Sequence, residues 1–351
     1  MDNTNTQPLA ILFSSDSTPQ YEKDIFNVIA SPVNGEYRFR YKKEYIDVNL
    51  LNQLRETLKP GTRVLIAFRT NSADIKASIE PFMVPIRWAE IDALEEIEKI
   101  VIIKFITKGY PTFSATFETA SNSLQSNVDF SHKYFIDNHK NNVFLSNSIP
   151  DIVSFTDSED INNQERAWIR IIEALSKYDK FFDKVFFMTE TLLPEKTKRV
   201  EMKEGKSQTI KIVQFNSNEH SIKEASVEIQ YDTTVLVSSH GDKDRIECRY
   251  DVLEYGFIPK NKTAKMKTHV TFNFLSDDGN QKTKIRIPVI IKQSLFMPII
   301  SAAFSLIGAI GVGLNGVLSL FMDKVPLKIG MPLFVAGSIS LAIASFISKR
   351  E

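Results

Sequence analysis

The chain has 351 residues, room for two or three domains. Its 43 basic and 43 acidic side chains cancel, which excludes a global field that would draw it to nucleic acid or to an acidic partner. The single cysteine, Cys248, excludes a disulfide within the chain and any thiolate metal site, and fits a reducing cytosol.

Residues 1–150 read as an α+β domain. The opening "MDNTNTQPLAILFSSDS" starts acidic and polar and lacks the basic region and apolar run of a secretory signal, which predicts a cytosolic residue 1–293 part. "LAILFSS", "EYRFRYKKEYIDV", "GTRVLIAFRT", "FMVPIRWAEI" and "IVIIKFITK" are strand candidates. "NLLNQLRETL" predicts a short helix stopped by Pro60-Gly61, and the Ser- and Asn-rich stretch 111–150 predicts loops. In "YRFRYKK", Tyr37, Phe39 and Tyr41 share one face of a strand, and Arg38, Arg40 and Lys42 share the other. One reading is an aromatic core inside and a basic surface outside. The other is a surface for an anion, a partner or nucleic acid, since arginine forks suit phosphate, although the aromatics point the wrong way to stack bases beside them. Arg69 and Arg87 end or interrupt other apolar strands, and would join one anion pocket if those strands are neighbours.

Residues 151–204 read as a helical connector. Ile161, Trp168, Ile171, Ile172, Leu175 and Phe182 recur at helical spacing, Ser158 or Asp160 is placed to cap the start, and "KFFDKVFFM" reads as aromatic core. Residues 205–293 predict an immunoglobulin-like β-sandwich. Alternation appears at Ile210 and Ile212, at Val227, Ile229 and Tyr231, and at Ile246, Cys248 and Tyr250. A hairpin joins "THVTFNFL" to "KTKIRIPVII" through a turn at Asp278-Gly279, with Val270, Phe272 and Phe274 on one face against Ile285, Ile287, Val289 and Ile291. Ahead of it, "PKNKTAKMK" carries Lys260, Lys262, Lys265 and Lys267. If the following segment enters a bilayer, this loop faces lipid headgroups.

Residues 294–351 contain two uncharged runs, Ser294–Met322 and Ile329–Ile347, separated by "DKVPLK". As helices, Pro298–Met322 and the second run would be about 37 and 28 Å long, against a hydrocarbon core of about 30 Å. They predict a transmembrane helical hairpin in the cell membrane with both termini cytoplasmic. A seam of small and polar residues, Ser301, Ser305, Gly308, Asn315 and Ser319 facing Ala336, Ser340 and Ala344, predicts close packing within the hairpin or a homo-oligomer with Asn315 lining a pore.

The expected architecture is thus β-rich and multidomain, of the α+β class. No catalytic motif stands out. "EGKSQT" lacks the first glycine of a phosphate-binding loop, because Val200 occupies its place, and none of the five histidines has a partner at metal-site spacing. No cofactor and no enzymatic activity are expected. The layout resembles effectors of bacterial defence and conflict systems, which join a cytosolic sensing part to a terminal two-helix membrane module. That resemblance implies a trigger or protein partner, assembly, and disruption of the lipid bilayer in antiviral defence. The rival expectation is a membrane-tethered scaffold or enzyme whose hairpin only localises it.

Overall fold

The computed structural model describes residues 10–15, 18–46, 48–70, 83–113, 143–145, 153–155, 161–182, 184–216, 224–247, 249–260, 266–276 and 282–292, with 305–307, 309–310, 335–336 and 338–340 beyond them. The first half is a mixed six-stranded sheet. Its elements are β1 (Ala10–Ser15), β2 (Glu36–Lys42), β3 (Arg63–Arg69), β4 (Met83–Ile97), β5 (Ile100–Thr107) and β7 (Val143–Leu145), in the order β2-β5-β4-β3-β1-β7. The short β6 (Pro111–Phe113) pairs with β8 (Val153–Phe155). Strands β1 and β3 pair in parallel, and every residue of β1 is buried. Their unbroken apolar runs follow from cover on both faces. Edge strand β2 alternates instead, with Phe39 and Tyr41 buried and Arg38, Arg40 and Lys42 exposed. Helix α2 (Val48–Thr57) ends ahead of Gly61, whose φ of 83° favours glycine.

Helix α1 (Pro19–Ala30) covers this sheet. Thr18 accepts from the Tyr21 amide and Pro19 sits in the first turn, so the start is capped and pre-shaped. Its last turn is buried and carries no basic residue of its own. Orphan carbonyls there must find donors elsewhere. Ser31 Oγ donates to Asn27 O (2.7 Å), Thr189 Oγ1 to Ala30 O (2.8 Å), and Tyr110 hydroxyl to Ile29 O (2.5 Å). Arg87 of β4, fully buried, donates from Nη1 to Ile29 O (3.2 Å) and Val28 O (3.5 Å), and from Nε to Lys108 O (2.6 Å). Its guanidinium also lies 4.0 Å from the centroid of the Tyr110 ring. A positive charge at the negative end of the helix is thus compensated by carbonyl dipoles and a π face.

The second half is a sandwich. One sheet runs β10-β17-β16-β12-β14 and the other β13-β15-β11-β9. The strands are β9 (Val185–Thr189), β10 (Val200–Lys203), β11 (Gln208–Asn216), β12 (Glu224–Tyr231), β13 (Leu236–Ser238), β14 (Lys243–Glu247), β15 (Tyr250–Pro259), β16 (Met266–Ser276) and β17 (Lys282–Lys292). The β16–β17 pairing sets Val270 against Ile287 and Phe272 against Ile285, the faces expected from alternation. Phe187 of β9 stacks on Phe274 of β16 across the sandwich, with centroids 3.9 Å apart.

Helix α3 (Ile161–Leu175) joins the first core through Trp168, Ile171, Ile172 and Leu175. Strand β9 belongs to both cores. Val185 and Phe187 face the sandwich interior, whereas Phe186 and Met188 face the first core with Phe26 and Phe181. Phe182, expected in the core, is exposed.

The expected transmembrane hairpin is corrected by the structure. Among the described residues no helix is long and apolar enough to cross a membrane. Helical residues occur at 305–307, 309–310, 335–336 and 338–340, and Ser305 and Ala336 are exposed there. Ser301, Gly308, Asn315, Ser319 and Ala344 lie outside the described residues. The expectation rested mainly on uncharged run length, and the cell-membrane placement and cytoplasmic termini drawn from it fall with it.

The capping role of Arg87 has a measurable cost. Arg87→Leu should destabilise the fold by about 3 kcal/mol, because it leaves buried carbonyls without a donor. Arg87→Lys should recover only part, since an ammonium lacks the planar fork. Urea denaturation checks both; a loss under about 0.5 kcal/mol for Arg87→Leu would remove Arg87 from this role.

Candidate functional site

A cleft of about 640 Å³ opens where β2, α1 and β17 meet. That volume lies within the range of small-ligand sites, roughly 300–1,000 Å³. Helix α1 supplies Gln20, Lys23, Asp24 and Asn27; Gln20, Asp24 and Asn27 share one face at helical spacing. Strand β2 supplies Glu36, Tyr37, Arg38 and Arg40, and β17 supplies Lys284 and Arg286 from the other half of the molecule. Lys104 pairs across the sheet with Arg38 in register. Asp92, also at the cleft, is the extra residue where the β4–β5 register slips between Ile91 and Ala93.

A polar chain runs beneath the cleft. The backbone N–H of Lys284 donates to Asn27 Oδ1 (2.7 Å), and Asn27 Nδ2 donates to the Tyr37 hydroxyl (3.0 Å). The Tyr37 hydroxyl donates to Asp24 Oδ1 (2.9 Å), which also accepts from Gln20 Nε2 (3.2 Å). Asp24 is only 5% exposed. Desolvation by this burial pushes its carboxyl up to about 6, against the counteracting hydrogen bonds of Tyr37 and Gln20 and the charges of Arg40 and Lys23. Burial likewise pushes the Tyr37 phenol up, with the Asp24 charge adding to it.

The cations around this floor are unevenly matched. Among the described residues Lys23, Arg38, Arg40 and Lys284 have no carboxylate at ion-pair distance. Glu36 and Asp92 both lean toward Lys198, at 4.0 and 3.5 Å. Lys104 is paired with Glu95, and Arg286 Nη2 lies 3.3 Å from His269 Nδ1. Desolvation, then the charges of Arg286 and Lys284, holds the His269 imidazole below its ordinary value.

Of the residues expected to gather an anion, the cleft brings together only Arg38 and Arg40. Lys42 lies at the far end of β2, in an exposed pair with Glu44 at 3.3 Å. Arg69 is buried over the Phe13 ring at 5.3 Å, and desolvation lowers its guanidinium to about 10. Arg87 is buried beneath α1. Both arginines serve the interior, because the strands that carry them are central, not edge, strands. Lys260 Nζ donates to Thr233 O (2.6 Å) and Lys267 is exposed, while Lys262 and Lys265 lie outside the described residues. The expectation that this loop faces lipid depended on the membrane hairpin and loses that basis.

The strand pattern leaves unread Gln20, Asp24, Asn27, Lys284 and Arg286. The Thr18-Pro19 start, with Tyr21, Ile25 and Val28 at helical spacing, is the local signal for α1. No local signal places Lys284 and Arg286 opposite β2. Among the described residues no group of three or more His, Cys, Asp or Glu could hold a metal ion.

No protein-family model matches the chain, and no characterised protein matches it in sequence. Solved structures similar over part of it include a type I cohesin–dockerin complex from Clostridium thermocellum, with 15% identity over 27% of this chain and 90% of that one, TM-score 0.21. An MSP family member from C. elegans has 7% identity over 27% of this chain and 92% of its own, TM-score 0.20. A CARDB domain from Pyrococcus furiosus, in complex with di-metal ions, has 8% identity over 31% and 86%, TM-score 0.21. Likeness at this level carries no argument about function.

Asp24 should make stability depend on pH. Its folded value lies above the unfolded one, so the stabilisation from holding the proton is complete below the ordinary carboxylate range and is lost as pH rises through about 6. Asp24→Asn should therefore exceed the parent by about 2–3 kcal/mol above pH ~7, and the gap should close by pH ~4. Denaturation at a series of pH values tests this; a gap constant from pH ~4 to ~8 would refute the raised carboxyl.

Proposed function

We propose that this chain is a non-catalytic binding protein that takes a small anionic ligand in the cleft between its two halves. One observation carries the reading: Arg38 and Arg40 of the first sheet and Lys284 and Arg286 of the sandwich line one cleft. Cations from two cores sharing one concave site repel each other until an anion sits among them. Arginine contributes planar, multidentate donors suited to phosphate or carboxylate oxygens. Partial enclosure strengthens each contact relative to open water.

The same arrangement gives ligand binding a structural consequence. The walls belong to separate cores joined through α1, so an anion held by both would favour the arrangement in which β2 and β17 face each other. This keeps the expectation of a protein that responds to a ligand, without membrane action.

Calorimetric titration of the full chain with inorganic phosphate and pyrophosphate at low salt tests the reading. Both should bind, pyrophosphate more tightly, and both should weaken as salt screens the cations. Arg38→Gln combined with Arg40→Gln should reduce affinity at least about tenfold, whereas Lys42→Gln should leave it unchanged. No binding by the parent, or equal binding by the double variant, would overturn the reading. Binding of an acidic peptide alone would replace it with a protein partner.

A further inference from the structure

The hydrogen bonds under the cleft have only one consistent direction. The Lys284 backbone N–H can only donate, so the Asn27 atom facing it is the amide oxygen, and Asn27 Nδ2 must face Tyr37. The Tyr37 hydroxyl receives that donor and spends its own proton on Asp24 Oδ1. Gln20 Nε2 donates to the same oxygen. Among the described residues nothing donates to Asp24 Oδ2, although this carboxyl is 95% buried and lines the cleft.

Asp24 Oδ2 is not among the fully buried polar atoms left without a partner, so it keeps some solvent access, and a carboxylate oxygen without a protein donor can accept from a ligand that displaces that solvent. The surrounding cations do not fill that place, since neither Arg40 nor Lys23 comes within hydrogen-bond distance of Asp24. A bare anion would be repelled by Asp24 while attracted by the arginines. A ligand with an anionic end and a hydroxyl-bearing end satisfies both.

We infer that the ligand of this cleft is a phosphate ester of a polyol, its phosphoryl group held by Arg38, Arg40, Lys284 and Arg286, and one of its hydroxyls donating to Asp24 Oδ2. The inference rests on the anion reading given above and adds to it a specificity residue, Asp24, on the helix that joins the two cores. Tyr37 and Asn27 are positioning residues: they hold the carboxylate through Oδ1, leaving Oδ2 without a donor among the described residues, and tie it to the backbone of β17.

The test compares three probes on the full chain at pH 8: inorganic phosphate, pentyl phosphate and ribose 5-phosphate. The two esters share charge and length of skeleton and differ in hydroxyls. Ribose 5-phosphate should bind the parent about tenfold more tightly than pentyl phosphate, the gain from one hydrogen bond to a charged acceptor. In Asp24→Asn, an N–H donor replaces the free acceptor, so the preference should fall to about twofold or less, while inorganic phosphate still binds and reports an intact cleft. Equal binding of both esters by the parent would overturn the inference and leave the anion reading standing. Retention of the full preference by Asp24→Asn would remove Asp24 from the role. Failure of all three probes to bind would overturn both readings. The parent's choice between the two esters needs no variant, so the inference stays testable whatever the fold of Asp24→Asn.

Discussion

A helix that ends in the interior must have its last carbonyls satisfied there, and α1 ends in the interior. The protein meets this with donors from distant parts of the chain: Ser31 beside the helix, Arg87 from β4, Tyr110 beyond β5, and Thr189 from the sandwich. Three of the four belong to other elements, so the end of α1 forms only when the sheet and the sandwich are both in place. Arg87 is the costliest member. A buried guanidinium is tolerated only with full compensation, and here carbonyl oxygens and the Tyr110 ring supply it.

The position of α1 in turn determines how the two cores meet. Strand β9 is buried on both faces, with alternate side chains in alternate cores. Asn34 Nδ2 bonding to Leu193 O at 2.9 Å ties the loop after α1 to the segment after β9. The sandwich is therefore one wall of a larger body, not a bead on a linker. Its β17 reaches α1 through the Lys284 amide, and that contact brings Lys284 and Arg286 to the edge of the first sheet.

Edge strands need protection from unwanted pairing, and charged side chains on β2 provide it. The structure adds a second consequence of the same charges. Because α1 and β17 flank that edge, Arg38 and Arg40 look into a concave space instead of open solvent. Asp24 lies at its base with its charge disfavoured by burial, and the cations nearby only partly offset that penalty. The cleft thus holds both a largely buried carboxylate and, among the described residues, several cations without a carboxylate at ion-pair distance, a combination that folding alone does not require.

Local pattern was enough for whatever depends on neighbours along the chain. Whereas the continuous burial of β1 and β3 depends on cover on both faces, the faces of β2 and of the β16–β17 hairpin and helices α2 and α3 follow from periodicity, because a side chain's direction repeats every two residues in a strand and every 3.6 in a helix. Arg38 and Arg40 were legible for the same reason. Arg87 and Arg69 were not: an arginine ending an apolar strand looks alike at a surface and beneath a helix terminus, and only tertiary packing places α1 over one and aromatic rings beside the other. The membrane hairpin rested mainly on uncharged run length, which did not supply a spanning helix among the described residues. Asp24, Asn27, Lys284 and Arg286 come together across more than two hundred and fifty residues of chain. Their meeting depends on how two cores share one helix and one strand, a long-range constraint that no local spacing encodes.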